Sequence, residues 1–394
     1  MAGRAKAGID RRPKITHRRL FFIIIIIAVA IKLSLFAFVV ISAPEGKMLP
    51  DSYRYLELSG LLASKGVFAL QDGNGKLIYE TLRTPGYSCF LAIFHGLMKI
   101  PLNGIILIQI AMTLLTAFIT YKTAIMIEPK IAFLSAVIIL YDPPITIFSL
   151  TILTEALFLL FISLFMFFFV LYIKSKRAGH LIFSAFVLAV SAYVRPVAYY
   201  LGFALFFFIF YANRKERFKK VFTHALIFIL VVCGLLGAWH IRNHMRCNNF
   251  VFSSVENENS VKGLFKSYVR NTDPHTKGMA PLPYYINVST RCFLSVMTRP
   301  GSLKYFKSHI LTVIGKVLAY PWMVLWLAGF IWGIVKTRNN IYAQFMLFII
   351  AYFIAASICA LMWDVSERLR VPMMPFIAII SAYGWMSLFR KIGT

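Results

Sequence analysis

Long apolar runs separated by short polar stretches make up most of this chain of 394 residues. Each run is close to the roughly 20 apolar residues that an α-helix needs to cross about 30 Å of hydrocarbon. The alternation of apolar and polar positions that is typical of a transmembrane β-barrel is missing. The pattern therefore predicts an all-α polytopic membrane protein with about ten transmembrane helices.

The breaks between apolar runs define the predicted crossings. Asp142-Pro143-Pro144 and Arg195-Pro196 each divide a long apolar stretch in two, because a proline inside a helix removes a backbone hydrogen bond. Residues 88–99 are apolar but too short to cross, which predicts a half-helix. The crossings are predicted at 20–41, 102–125, two within 130–173 with an outer turn at Asp142, two within 180–212, 221–241, 311–335, 341–362 and 371–389.

Two polar loops, residues 42–87 and 242–308, are long enough to fold over a site. In the first, Tyr55, Leu58 and Leu62 recur at helical spacing, which predicts a short amphipathic helix that lies on the membrane surface. We predict that both loops lie on the outer face.

The distribution of basic residues along the chain predicts this orientation. The chain has 42 Lys plus Arg against 15 Asp plus Glu, and the formal net charge is +27. Clusters of basic residues mark cytoplasmic loops, which predicts cytoplasmic tails at 1–19 and 390–394. The residues between the tails, 20–389, are expected to form a single transmembrane domain, and no soluble C-terminal domain is expected. The excess positive charge fits anchoring and anionic lipid, or an anionic partner, and nucleic acid is not expected.

Cysteine and histidine spacing does not indicate a metal site. The five cysteines lack metal-ligand spacing, and the histidines form no HExxH motif. Cys247 and Cys292 share the second outer loop, where they form either a disulfide or two unrelated thiols. Lys32, inside the first crossing, is expected to reach the interface by snorkelling.

Carboxylates and arginines converge on the predicted outer face. A carboxylate there can accept a proton from a hydroxyl nucleophile, and arginines can bind a phosphate and stabilise a leaving group. This combination suits sugar transfer from a lipid-linked phosphate, although any one of these residues is also explained as a solvated loop residue. The carboxylates are Asp51, Glu80 and Asp142, and the arginines are Arg83, Arg195, Arg242, Arg368 and Arg370.

The same residues belong to motifs that occur in a fixed order along the chain. The motifs are Asp51, Tyr55, Gly66, Arg83-Thr84-Pro85-Gly86-Tyr87, Thr154-Glu155, Arg195-Pro196, Trp239, Arg242-Asn243 and Glu367-Arg368-Leu369-Arg370-Val371-Pro372. In this order the chain resembles the membrane glycosyltransferases of the GT-C fold. The resemblance is to the bacterial branch related to lipid A aminoarabinose transferase and the protein O-mannosyltransferases, and it covers nearly the whole chain.

The resemblance implies an inverting glycosyltransferase in a bacterial or archaeal plasma membrane. The enzyme would take a sugar from a polyprenyl-phosphate donor, of the undecaprenyl or dolichyl type, and attach it to an acceptor lipid, glycan or protein at the outer face. By this resemblance Asp51 is the base or positions the acceptor, and Asp142 matches the second acidic residue of the site. Glu80 matches a loop carboxylate that can hold a divalent metal in some members of the family. The residues expected to face the donor phosphate are Arg83, Arg195, Arg242 and Arg370, with Arg368 able to replace Arg370.

Some residues depart from the family pattern or have another explanation. Ser52 follows Asp51 where several relatives have a second acid, which weakens a paired-carboxylate metal site. Glu155 follows Thr154 at a helix start, where capping and the helix dipole also explain it. Two alternative functions stay open: a transporter or flippase of a lipid-linked glycan, and an O-antigen ligase or polymerase.

Overall fold

The protein is all-helical apart from one hairpin in the described part of the chain. The computed structural model describes residues 13–255, 267–269, 276–299, 309–360 and 366–392. The helices are α1 (Pro13–Ser42), α2 (Pro50–Lys65), α3 (Pro85–Leu91), α4 (Leu102–Ile127), α5 (Ala132–Leu140), α6 (Pro143–Ser149), α7 (Glu155–Ser175), α8 (Ala178–Val194), α9 (Tyr199–Ala212), α10 (Phe218–Cys247), α11 (Pro281–Thr298), α12 (His309–Thr337), α13 (Ile341–Ala360), α14 (Ser366–Arg370) and α15 (Met374–Ile392). The strands are β1 (Ala69–Gln71) and β2 (Leu77–Tyr79).

Seven helical segments in the described ranges are long and apolar enough to cross a membrane. They are Phe22–Ser42, Leu102–Ile127, Glu155–Ser175, Phe218–Cys247, Gly315–Thr337, Ile341–Ala360 and Glu367–Phe389. One bent pair and two shorter apolar helices, Ala178–Val194 and Pro196–Ala212, accompany them. The all-α polytopic class is confirmed, and the number of about ten crossings stays a prediction.

The prolines after Asp142 start a helix instead of turning the chain back. Segments Pro129–Leu140 and Pro143–Ser149 meet at an angle of 52°. Pro143 occupies the first turn of α6, where the missing N–H costs nothing and the fixed φ suits a helix. The predicted turn is therefore a bend here, and the next long helix, α7, begins only at Glu155.

The first polar loop is a folded unit against the helix bundle. The predicted surface helix is α2, whose Tyr55 and Leu58 are buried. It ends at Gly66, in the left-handed conformation (φ +66°) that favours glycine. The antiparallel hairpin of β1 and β2 was not predicted. Its turn is fixed by Asp72, whose carboxylate accepts from the amides of Asn74 at 3.0 Å and Lys76 at 2.8 Å.

The half-helix predicted for residues 88–99 is observed as α3, which continues through a π-helical turn, Ala92–Leu97. In the second predicted loop, α10 extends to Cys247 and α11 covers Pro281–Thr298. Residues 256–266, 270–275 and 300–308 of that loop lie outside the described residues, as do 1–12 and 393–394 of the tails. Cys247 and Cys292 are free thiols.

Lys32 does not snorkel. Its side chain is buried inside the bundle, with 1% exposed, and its Nζ donates to Thr146 Oγ1 at 2.8 Å. A buried ammonium needs such a partner, because transfer of a charge out of water is costly. Lys32 therefore links α1 to α6.

Candidate active site

Asp51 lies in the first turn of α2, where the positive end of the helix dipole favours a carboxylate. Its Oδ1 accepts from Arg83 Nη2 at 2.5 Å, and the two side chains are each 26% exposed. Arg83 precedes α3, so this pair joins the two ends of the first polar loop. Asp51 is thus held at a surface that solvent can reach.

Arg368 joins Asp51 to a second carboxylate. The arginine comes from α14, a short helix that precedes α15. Its Nη1 donates to Asp51 Oδ2 at 3.2 Å, and its Nε donates to Glu155 Oε1. One guanidinium therefore bridges the start of α2 and the start of α7, which are about one hundred residues apart in the chain.

Glu155 is buried in the first turn of α7, with its side chain 1% exposed. Its Oε1 also accepts from Arg195 Nη1 at 3.0 Å. Arg195 lies in the extended break between α8 and α9, immediately before Pro196, and its guanidinium lies over the ring of Phe158 at 5.6 Å. Two arginines thus neutralise one buried carboxylate.

These five residues form one continuous network, hereafter the charge cluster. In order of contact it consists of Arg83, Asp51, Arg368, Glu155 and Arg195. Three guanidinium groups against two carboxylates leave one positive charge. The buried Glu155 anchors the network, whereas Asp51 and Arg83 are partly exposed, so the cluster can receive an anion from the Asp51 side.

Two buried tyrosines lie beside the charge cluster. The rings of Tyr55 and Tyr87 meet edge to face at 5.1 Å, and the Arg83 guanidinium lies 5.7 Å from the Tyr55 ring centroid. Burial raises the pKa of both phenols, so they stay protonated at neutral pH. Tyr87 donates to Gln109 Oε1 at 2.7 Å, and Gln109 donates to the carbonyls of Ser149 and Thr151. This chain of hydrogen bonds fixes α3 against α4, the end of α6 and the segment that follows it.

Glu80 holds the turn that presents Arg83. Its Oε1 accepts from the amides of Leu82 at 2.6 Å and Arg83 at 3.3 Å, and its Oε2 accepts from Arg54 Nε at 2.7 Å. Both oxygens already have protein donors. Among the described residues no group of three or more His, Cys, Asp or Glu could hold a metal ion. Glu80 and Asp51 therefore belong to no such group there, and the metal role of Glu80 stays a prediction.

Arg242 binds the first polar loop to α10. Its guanidinium donates to the carbonyls of Glu80 at 2.8 Å and Phe68 at 2.5 Å, and it lies over the ring of Trp239 at 4.7 Å. Cation–π contacts and carbonyl bonds of this kind hold a loop in place. Its predicted phosphate-binding role stays a prediction.

Asp142 and Arg370 are buried outside the charge cluster, and each has its own hydrogen-bond partners. Asp142 caps α6, with Oδ1 accepting from Ile145 N at 3.0 Å. Arg370 Nη1 donates to the carbonyls of Val296 at 2.8 Å and Arg299 at 2.6 Å, at the C-terminal end of α11. A cation at that end satisfies free carbonyls and the helix dipole. Neither residue has a hydrogen bond or ion pair to the charge cluster in the described structure, and their predicted roles stay predictions.

The structure therefore brings together three of the seven predicted site residues, Asp51, Arg83 and Arg195. It adds Glu155 and Arg368, which the sequence had offered only as a helix-start residue and as a substitute for Arg370. Thr154 makes no side-chain capping bond, so capping by Thr154 does not explain Glu155. The sequence could have indicated Glu155 as a site residue by its position, because it lies at the end of α7 that faces the first polar loop.

Comparisons with known proteins support the resemblance and the fold. Residues 83–239 match the family described as dolichyl-phosphate-mannose-protein mannosyltransferase. No curated protein matches the chain. The matched segment includes Arg83, Glu155 and Arg195 of the charge cluster. The resemblance to GT-C glycosyltransferases is thus confirmed by an independent match.

Solved structures show the same fold. The oligosaccharyltransferase of Archaeoglobus fulgidus in its apo form superposes with a TM-score of 0.60 at 12% identity. The superposition covers 94% of this chain and 51% of that chain. ArnT from Cupriavidus metallidurans in the apo state gives 0.54 at 14% identity, covering 94% of this chain and 61% of that chain. At such identities the match shows the GT-C fold alone, and the chain spans about half to three-fifths of these proteins.

Proposed function

We propose that this protein is a glycosyltransferase that moves a sugar from a polyprenyl-phosphate carrier to an acceptor at the outer face of a membrane. The observation that carries the proposal is the charge cluster, in which a partly exposed Asp51 lies between two arginines on a GT-C fold. An archaeal relative, the oligosaccharyltransferase AglB of Archaeoglobus fulgidus, was solved with an inhibitory peptide and a dolichol-phosphate. A lipid phosphate is therefore a reasonable ligand for the surplus positive charge.

In the proposed reaction an acceptor hydroxyl attacks the anomeric carbon of the donor sugar with inversion. Asp51 orients the hydroxyl and takes its proton as the new bond forms. The bond between the anomeric carbon and the phosphate oxygen breaks, and the polyprenyl phosphate leaves with the electron pair. Arg83, Arg195 and Arg368 bind that phosphate and stabilise its developing charge.

The arginines would also control Asp51. Without substrate, both carboxylate oxygens of Asp51 accept from guanidinium groups. A donor phosphate competes for Arg83 and Arg368, because its non-bridging oxygens carry a negative charge and can accept from both guanidinium groups, as the Asp51 carboxylate does. Binding of the donor would thus free a lone pair of Asp51 for the acceptor, so that the base acts only when the donor is in place.

Two further assignments complete the proposal. Glu155 keeps Arg195 and Arg368 side by side for the phosphate. Asp142 and Arg370 remain candidates for the catalytic and phosphate-binding roles that the resemblance implies, although in the substrate-free structure they serve helix ends.

Transport of a lipid-linked glycan is the second candidate, because the buried Lys32 and Asp142 lie within or next to membrane-spanning segments, where ionisable groups usually have a function. The two functions differ in whether a glycosidic bond is cleaved.

The test uses purified protein in lipid vesicles with a labelled, synthetic undecaprenyl-phosphate sugar and an extract of envelope lipids and glycans as acceptor. We expect release of undecaprenyl phosphate, and a KM for the donor that rises about tenfold in Arg83→Gln, since a charge-assisted hydrogen bond contributes about 1.5–3 kcal/mol. Arg291→Gln, on the exposed surface of α11, is the matched control. Movement of the lipid-linked sugar across the vesicle with no cleavage would favour the transporter instead.

A further inference from the structure

A cavity opens next to the charge cluster. Its volume is about 590 Å³, and α2, the hairpin, α3, α8 and α10 enclose it. Pro85 and Tyr193, which are two residues from Arg83 and Arg195 respectively, form part of its wall. None of the five cluster residues lines it. The cavity is thus a neighbour of the proposed active site and not a part of it.

The cavity has apolar and aromatic walls with charge of one sign. Its lining residues include Tyr79, Val190 and Trp239, together with Arg242 and Arg246, and the lining contains no carboxylate. Its volume falls within the range of about 300–1,000 Å³ that is usual for small-molecule sites. A ligand that fits must carry an apolar part and a negative charge.

Arg246 is the group available to such a ligand. Its side chain is exposed, its guanidinium lies 5.4 Å from the ring centroid of Tyr79, and it forms no ion pair or hydrogen bond to another described residue. Arg242 already donates to two carbonyls and to Asn243, so it adds charge and fixes the wall. A guanidinium at a cavity mouth that has no carboxylate partner among the described residues attracts a phosphate.

The position of the cavity along the apolar helices favours a lipid as its ligand. Its walls come from the C-terminal ends of two apolar helices, α8 and α10, at the same ends of the helices as the break that carries Arg195. Tyr and Trp side chains are typical of this depth, at the boundary between headgroups and hydrocarbon. Basic side chains at that boundary attract anionic lipid by about 1 kcal/mol each.

We propose that this cavity binds one phospholipid with an anionic headgroup, whose phosphate contacts Arg246 and whose chains enter between α8 and α10. The lipid packs on the contact between Gly86 and Tyr193, where a Cβ at residue 86 would lie 2.6 Å from Tyr193 O. It thereby supports the two segments that present Arg83 and Arg195. This site is separate from the donor site and does not depend on the proposed reaction.

The test compares binding of short-chain phosphatidylglycerol and phosphatidylcholine, with identical chains, to the full-length protein in detergent. We expect wild type to prefer phosphatidylglycerol at least about fivefold, because the choline of phosphatidylcholine cancels the charge of its phosphate. Arg246→Gln should lose about fivefold in affinity for phosphatidylglycerol and less in affinity for phosphatidylcholine, so that the preference shrinks. Val190→Trp, which fills the cavity, should weaken both lipids. Arg291→Gln removes an exposed arginine elsewhere and should change neither affinity.

Three results would overturn the proposal. One is equal affinity of wild type for the two lipids. Another is an Arg246→Gln variant that behaves like Arg291→Gln. The third is displacement of phosphatidylglycerol by undecaprenyl phosphate with equal potency in wild type and in Arg83→Gln, which would make the cavity a carrier site. Because each readout is binding, a failure here is distinguishable from a failure of the proposed sugar transfer.

Discussion

At the scale of single residues, charge pairing decides which side chains can act. Asp51 and Glu155 are both carboxylates at helix starts, yet Asp51 is partly exposed and Glu155 is buried. In the proposed reaction the exposed carboxylate meets the acceptor, whereas the buried one holds its arginines. Position within the charge cluster therefore gives each carboxylate a different role.

Removal of the Glu155 charge should destabilise the protein. Glu155→Gln leaves Arg195 and Arg368 without their shared buried partner, and breaking a buried ion pair on one side costs about 3 kcal/mol or more. We expect a clear fall in the thermal unfolding midpoint and weaker binding of polyprenyl phosphate, measured on one preparation.

Glu216→Gln is the control for that variant. Glu216 pairs with Lys220 at 3.0 Å on an exposed surface, where ion pairs contribute little. Equal midpoints for the two variants would mean that Glu155 does not anchor the charge cluster.

The sequence predicted residue types better than partners. Asp51, Arg83 and Arg195 were identified because carboxylates and arginines recur at helix ends on one face. The sequence could not show which of Arg368 and Arg370 faces the donor phosphate, because the two arginines differ only in the side of α14 that each occupies. In the structure Arg368 faces Asp51 and Arg370 caps α11, a contact across about seventy residues that no local pattern records.

At the scale of elements, close backbone contact sets the geometry of the site. Gly86 in α3 lies against the end of α8, and a Cβ there would come within 2.6 Å of Tyr193 O and 2.7 Å of Tyr193 C. These are backbone atoms, so relief requires movement of a whole segment. The contact thus keeps Arg83 and Arg195 at a fixed separation.

Gly86→Ala should therefore move α3 away from α8. We expect a lower unfolding midpoint and reduced release of undecaprenyl phosphate. Gly60→Ala in α2 is the matched control, because no atom lies within 4 Å of its added Cβ and alanine is the better helix former by about 1 kcal/mol. If both variants behave like wild type, the contact does not set the site geometry.

Elements were predicted well where apolar length or periodicity defines them, as for α2 and the long crossings. The hairpin of β1 and β2 was missed because each strand has only three residues, too few to show a period of two. The bend at Asp142 was placed correctly but taken as a full turn, although an aspartate followed by proline also marks the start of a helix.

At the scale of the whole molecule, the fold matches GT-C glycosyltransferases while sequence identity stays at 12–14%. Apolar pattern and helix order persist at such divergence, because any apolar residue of suitable size fills a membrane-spanning position. The proposed activity rests on the few charged residues at the helix ends, because the fold alone does not imply a function.

The orientation of the chain in the membrane is a prediction about the whole molecule. In a variant without the native cysteines, Asn74→Cys in the hairpin turn should react with a membrane-impermeant maleimide added to intact cells. Lys215→Cys, between α9 and α10, should react only after permeabilisation, because positive clusters stay cytoplasmic. Both positions are exposed. The reverse labelling would put the charge cluster on the cytoplasmic side.

The most direct test of the central claim separates binding from turnover at Asp51. In one preparation of Asp51→Asn, the affinity for undecaprenyl phosphate and the rate of sugar transfer are measured beside wild type. We predict equal or higher affinity, because Arg83 and Arg368 lose a competing carboxylate, and transfer slower by at least about a hundredfold. Full turnover by Asp51→Asn would contradict the assignment of Asp51 as the catalytic carboxylate.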